Sequence, residues 1–400
     1  MEAKTLNPSA PARVRIAYLD NIRWTVIAMV VLMHTCVTYS GQGSWFYVEK
    51  TTQDIASVLV FGIYQSFAQA FFMGLLFFLA GTLVPRAYDR KGFLRFVGDR
   101  AVRLGVPSLV FMLLLDPLTN AIRTIGTGGG FSWSVFLPRY RDYVLSGSFL
   151  SGSGPLWFAV ALLVFSIIYA LVRLVVDAPR GGVPREVAAD VKPLASRTVT
   201  FAVLALTALI ALLAFAVRLV QPLGTSVVNM QLGFFASYVV LFVAGLFAGP
   251  RGLLEAIPAK AGRTWLWLSI AIGLPLWAGI CMAGGALNGN QAALEGGLHW
   301  QAAAYALWES FFCVAFGLGL LVLYRERANA ANRATAFLAY TGFGTYTFHS
   351  PILVGVSVLI AGVQLHPLAK ALIVASSAWA LSVAFAWVVR KIPGVGKLFA

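Results

Sequence analysis

Ten runs of apolar residues, each long enough to cross a bilayer, divide this chain of 400 residues. They lie near 22–40, 57–84, 104–122, 155–176, 198–220, 231–249, 265–284, 301–324, 337–361 and 368–390. A helix of about 20 apolar residues spans the hydrocarbon core of a membrane. Lipid offers no partner for a free backbone N–H or C=O, so such runs cross as helices. An all-α polytopic membrane protein with about ten transmembrane helices is expected. The ninth run is the weakest, because Gly342, Gly344 and Pro351 interrupt it. Composition agrees: 11% of the residues are charged and 59% hydrophobic, against about 25% and about 45–50% in a soluble domain. That excludes an ordinary soluble enzyme and a disordered chain.

The net charge of +15 would suit a nucleic-acid partner until the charges are placed along the runs. With a cytoplasmic N-terminus, 24 of the 30 basic residues and nine of the 15 acids fall on inner segments. The remaining bases and acids cancel. The whole surplus then lies inside, as Lys and Arg orient a chain with an even number of spans. The lipid bilayer, not nucleic acid, is the partner this charge implies, and both termini are expected in the cytoplasm. The inner loops 85–103 and 177–197 are each roughly twenty residues. One transmembrane domain is therefore expected over 1–400, including a cytoplasmic tail at 1–21, with no fused soluble domain. The first run lacks a small-x-small cleavage site and reads as an uncleaved span. The outer loop 123–154 is rich in Gly, Ser and aromatic residues; it is long enough to line a cavity but reads first as a flexible linker. No internal repeat of the kind many transporters carry is visible. Cys36, Cys281 and Cys313 are isolated and apolar-flanked, which fits small buried hydrophobes.

Ionisable groups deep in a bilayer are costly, so they mark candidate sites. His34, Asp116, Glu309 and His349 each lie about 18 Å from the inner face at 1.5 Å per residue. Gln65 reaches a similar level, with Gln69 one turn further in. Glue between helices is the plainer reading of any one of them. His34 stands apart, since Asp20, Arg23, Ile27, Val31, His34 and Thr38 form one stripe of the first span. That stripe joins a charged cytoplasmic foot to a deep imidazole, the group best suited to moving a proton near neutral pH. No histidine has an i,i+4 histidine partner and no HExxH occurs, so no metal is expected. No GxSxG marks a nucleophilic serine. At the inner start of the third span, Arg100 and Arg103 sit at i and i+3 with Arg95 before them. Two guanidinium forks on one face can hold phosphates, although a loop that merely orients the chain has the same composition. Trp157, at the outer start of the fourth span, reads as an interfacial belt residue.

These motifs, in this order, resemble the acyltransferase-3 family of bacterial integral membrane O-acyltransferases, including its glucan-succinylating branch. The likeness begins with Leu19-Asp20-Asn21-Ile22-Arg23 and His34 at its distance. It continues with Phe77-Phe78-Leu79-Ala80-Gly81, where Ala80 replaces a serine, then Arg100-x-x-Arg103 and Trp157-Phe158. It closes with Tyr346-Thr347-Phe348-His349-Ser350-Pro351, similar to a tyrosine, histidine and proline segment of the family. The resemblance implies a multi-pass protein of the bacterial inner membrane. It implies transfer of an acyl group from cytoplasmic acyl-CoA, acetyl-CoA or succinyl-CoA, to a hydroxyl of an extracytoplasmic carbohydrate or glycan. His34 then carries over as the catalytic histidine and general base. Arg100 and Arg103, with Arg95 beside them, carry over as the arginines near the CoA phosphates, and Asp20 and Arg23 as the first-span pair. Glu309 or Asp116 is expected to orient the imidazole, with Gln65, Trp157, Tyr346 and His349 as further site candidates. Two rivals remain at this point: a proton-coupled carrier, and an amino-sugar N-acetyltransferase of another membrane class. The acyl group, the acceptor and the oligomeric state, a homo-oligomer included, stay open.

Overall fold

The computed structural model describes residues 17–49, 53–177 and 192–399. Residues 1–16 of the expected tail and 178–191 of the inner loop lie outside it, and with them Lys4, Arg13, Arg15, Arg180 and Arg185; Lys50 does also. Each of the ten apolar runs lies on a helix. Among the described residues the helices longer than one turn are, in chain order, α1 (Ala17–Ser40), α2 (Ile55–Lys91), α3 (Phe93–Gly126), α4 (Trp133–Leu145), α5 (Trp157–Asp177), α6 (Ser196–Arg218), α7 (Leu232–Ala248), α8 (Ala259–Ala283), α9 (Trp300–Arg327), α10 (Arg333–Leu359) and α11 (Pro367–Arg390). Eight of them are long and apolar enough to cross a membrane. The other two on predicted runs are α7, which is shorter, and α10, where Gly, Thr, Ser and His dilute the apolar residues. Among the described residues there is no strand, only a lone bridge between Val227 and Met230.

α1 is central, packed against α2, α9, α10 and α11. α2 also lies against α7, and the two cross where Gly81 faces Gly245. A side chain on Gly81 would strike the carbonyl oxygen of Phe242. Phe77 and Leu79, just before it, are fully buried. The Phe77–Gly81 motif is thus a close helix crossing, the small-residue device of membrane bundles.

Polar contacts tie the bundle at both ends. At the basic end Arg173 bonds Asp89 and Asp177, each at 2.6 Å. Arg325 donates to the carbonyls of Leu254 (2.6 Å) and Ile257 (2.8 Å). Asn21 donates to the carbonyl of Ala328 at 2.7 Å. At the opposite end Lys370 pairs with Glu49 at 2.5 Å and His366 with Asp54 at 2.6 Å. These contacts fix the loop after α1 against α11.

The segment 123–154 departs from its linker reading. It holds α4 and two short 3₁₀ turns, Ser148–Ser151 and Gly154–Leu156. The cause lies in α3, which contains two wide π-turns, Ala101–Gly105 and Phe111–Leu115. A π-turn shifts the hydrogen-bond register and leaves carbonyls open to other donors. Tyr143 donates to the carbonyl of Met112 at 2.8 Å and Tyr140 to that of Leu113 at 3.0 Å. The two tyrosines dock α4 on α3 and bring the 3₁₀ turns down to the level of Asp116.

Candidate active site

α1 places His34 toward its end opposite the basic end, where the ring meets two others. Its Nδ1 lies 2.9 Å from Nε2 of His349 on α10. The indole of Trp45 stacks on it, with ring centroids 3.8 Å apart and planes 10° from parallel. Trp45 belongs to the loop between α1 and α2, which turns back at Gly41 (φ 68°) and Gly43 (φ 99°), backbone angles that favour glycine. His349 is fully buried, and its Nδ1 lies 2.7 Å from the carbonyl oxygen of Tyr346.

His34 lines a cavity of about 590 Å³. Val30, Phe72 and Met73 line its walls. Its rim comes from loops at the end away from the arginines: Gln42–Phe46, Ser151–Pro155 and Asn229–Gln231 contribute to it. Aromatic rings of Trp45, Trp157, Tyr238 and Tyr305 and amides of Gln65, Gln69, Asn229 and Gln231 dominate the lining. Rings offer flat apolar faces and amides offer paired donors and acceptors. His34 supplies a ring nitrogen able to accept a proton.

Several sequence candidates meet here. Asp116 lines the cavity and accepts from Tyr143 (3.2 Å) and Asn120 (3.3 Å). Gln65 donates to the carbonyl of Gln42 at 3.0 Å, and Gln69 to the Tyr238 hydroxyl at 3.3 Å. Tyr346 lines the wall and donates to the carbonyl of Pro155. Trp157, read as a belt residue, stacks on Tyr238 inside the cavity with centroids 5.5 Å apart.

Glu309 does not join them. Its carboxylate pairs with Arg218, which is fully buried at the end of α6 and also donates from Nε to the carbonyl of Gly233 at 3.1 Å. The charge count places Arg218 among the few bases outside the inner segments, yet it lies in the protein interior. A carboxylate buried alone is far costlier than one paired, so the pair explains both positions. The ring nitrogen contact expected of Glu309 or Asp116 is made by His349 instead.

The arginines gather elsewhere, at the basic end. Arg103 donates to Asp99 at 2.9 Å, and Lys91 holds the same carboxylate at 2.7 Å. The Arg100 guanidinium lies over Phe96, 5.2 Å from the ring centroid, and its Nε is buried with no partner among the described residues. The π-turn between them sends the two forks to different neighbours. Asp20 and Arg23 pair at 3.0 Å. Arg95 is exposed on the same α3 segment. None of these lines the cavity. From Arg23 to His34 is about 16 Å along α1.

A family model described as an acyltransferase domain, that of the acyltransferase-3 family, matches residues 16–390. The chain belongs to the acyltransferase-3 family. No curated protein and no solved structure matches it. As a member of this family it is a multi-pass membrane acyltransferase, and its helix-1 histidine is the one that opens on the cavity.

The sequence does not mark Trp45, Tyr238, Tyr305, Asn229 or Gln231, all of which line the cavity. Their signal is weak, because aromatic and amide residues near the ends of spans are common at membrane interfaces. The one usable cue was the Gly41-Gln42-Gly43 turn ahead of three consecutive aromatic residues near Trp45, which asks the loop to fold back.

Proposed function

We propose that this acyltransferase moves an acyl group, of acetyl or succinyl type, from cytoplasmic acyl-CoA to a hydroxyl of an extracytoplasmic carbohydrate or glycan. In this proposal ten spans cross a bacterial inner membrane, with both termini in the cytoplasm. The observation that carries it is His34, a basic ring on the wall of a cavity whose rim lies opposite the basic end. The lining of rings and amides suits a sugar, whose C–H faces lie on aromatic rings and whose hydroxyls meet amides.

Donor and acceptor arrive from opposite ends. The CoA phosphates rest against Arg100 and Arg103, with Arg95 beside them, and the thioester reaches inward alongside α1 to the level of His34. The acceptor hydroxyl enters from the rim. His34 takes its proton as the oxygen attacks the thioester carbon. The new C–O bond forms, the C–S bond breaks, and the leaving thiolate takes the proton back from the ring. The one-step form needs no other co-reactant. Arg100→Ala should raise the acyl-CoA concentration needed for half-maximal transfer, with the rate at saturation little changed. An unchanged donor requirement would assign the arginines to chain orientation alone. Mass spectrometry of surface glycans from cells with and without the gene tests the overall activity. Loss of an acyl mass supports it, and identical glycans refute it.

A further inference from the structure

We propose that His349 is a positioning residue that fixes His34 in a single tautomer, the one whose Nε2 is bare and faces the cavity. The proposal deepens the reading of His34 as general base and rests on it.

A backbone carbonyl anchors the pair. The Tyr346 oxygen can only accept, and Nδ1 of His349 lies 2.7 Å from it. That nitrogen therefore carries the hydrogen, and in a neutral imidazole the other nitrogen is then an acceptor. The acceptor is Nε2, 2.9 Å from Nδ1 of His34. His34 must donate there, so its Nδ1 is protonated and its Nε2 holds the free lone pair. His34 lines the cavity whereas His349 does not, which leaves Nε2 as the ring nitrogen offered to a substrate. One backbone carbonyl thus decides, through two rings, which atom is the base.

The geometry holds this state. The two imidazoles are parallel within 2°. Both nitrogens of His349 are engaged, and Trp45 covers a face of His34. A flipped His34 ring would lose its bond to His349. After His34 gains a proton, Nδ1 still donates to Nε2 of His349, so no hydrogen bond need be rebuilt, and the bond strengthens when its donor is charged.

The choice of a second imidazole also has a reason. A carboxylate in this place would itself be a buried charge and would need a counterion. Among the described residues no carboxylate bonds either ring. Among the described residues, the charged and titratable groups that line the cavity with His34 are Asp116 and Arg123 of α3, Tyr238 of α7, Tyr305 of α9 and Tyr346 of α10. No third His, Cys, Asp or Glu gathers with the pair among the described residues, as a metal site would require.

The chain has four histidines, so ¹⁵N-histidine labelling of the full-length protein in bilayers gives few ring signals. Solid-state NMR should show His34 protonated at Nδ1 and bare at Nε2, assigned by loss of its signals in His34→Ala. His349→Gln keeps an acceptor near the Nε2 position and should keep that tautomer, with kcat within about threefold of wild type. His349→Phe removes the acceptor. It should release the other tautomer and lower kcat about a hundredfold with little change in KM. The double variant His34→Ala/His349→Phe should be no slower than His34→Ala alone. A wild-type His34 protonated at Nε2, or His349→Phe turning over at the wild-type rate, overturns the proposal. Transfer that survives in His34→Ala instead overturns the base reading beneath it, whatever tautomer the spectrum shows.

Discussion

Arg218 and Glu309 show how a single pairing decides what a buried charge does. Each alone reads as a functional group, since lipid tolerates neither. Together they neutralise one another between α6 and α9, which predicts a structural role. Arg218→Ala should therefore cost about 3–5 kcal/mol by stranding the carboxylate, read as a lower thermal midpoint in detergent. The double variant Arg218→Met/Glu309→Leu should regain most of that stability and still transfer the acyl group. A stable but inactive double variant would return Glu309 to the chemistry. At this scale the sequence showed which residues are polar and deep, and so gave His34, Asp116, Gln65 and His349. It could not show which deep groups face each other, because pairing depends on how α6 and α10 are rotated. Nor could it show Trp45, whose position depends on a loop path rather than on helical periodicity.

The elements were legible where length and apolarity act alone. Each run of about twenty apolar residues has no other stable state in lipid, and each became a helix. The loop 123–154 was not legible, because its order comes from the two π-turns of α3. Tyr140→Phe/Tyr143→Phe removes both hydroxyls from the Leu113 and Met112 carbonyls. Hydrogen exchange should then rise across α4 and at 148–156 while α1 and α2 stay protected. Unchanged exchange would show that packing alone docks α4. The start of α2 carries a pH-dependent contact. The Ser57 backbone N–H, with help from His366, pulls the Asp54 carboxyl down to about 2, below its usual value near 4. A depressed pKa means the folded state prefers the ionised form, so this stabilisation is present above about pH 4 and fades as pH falls toward about 2. Exchange at residues 55–58 should therefore rise over that window in wild type. In Asp54→Asn it should be flat there; a parallel rise in both would assign the effect to other acids.

For the whole molecule, the charge pattern predicts an orientation and packing assembles the candidate site. Among the described residues the basic surplus lies at one end of the bundle and the cavity rim at the other. That separation is why one half of the proposed reaction was readable and the other was not: Arg100, Arg103 and His34 are each marked in sequence, yet only the fold sets the arginines at the basic end, off the cavity that His34 lines. Cysteines placed at Leu137 and Leu398 in a protein lacking its three native ones should differ in labelling. A membrane-impermeant thiol reagent should reach the first from outside intact cells and not the second, and the reverse pattern would invert the topology. The central claim is that His34 takes the proton from an acceptor alcohol as it attacks a thioester. The most direct measurement is the acyl content of surface glycans, by mass spectrometry, in gene-deleted cells that carry either wild-type protein or His34→Ala at equal membrane levels. Wild type should restore the acyl mass and the variant should leave it missing; restoration by the variant would contradict the account.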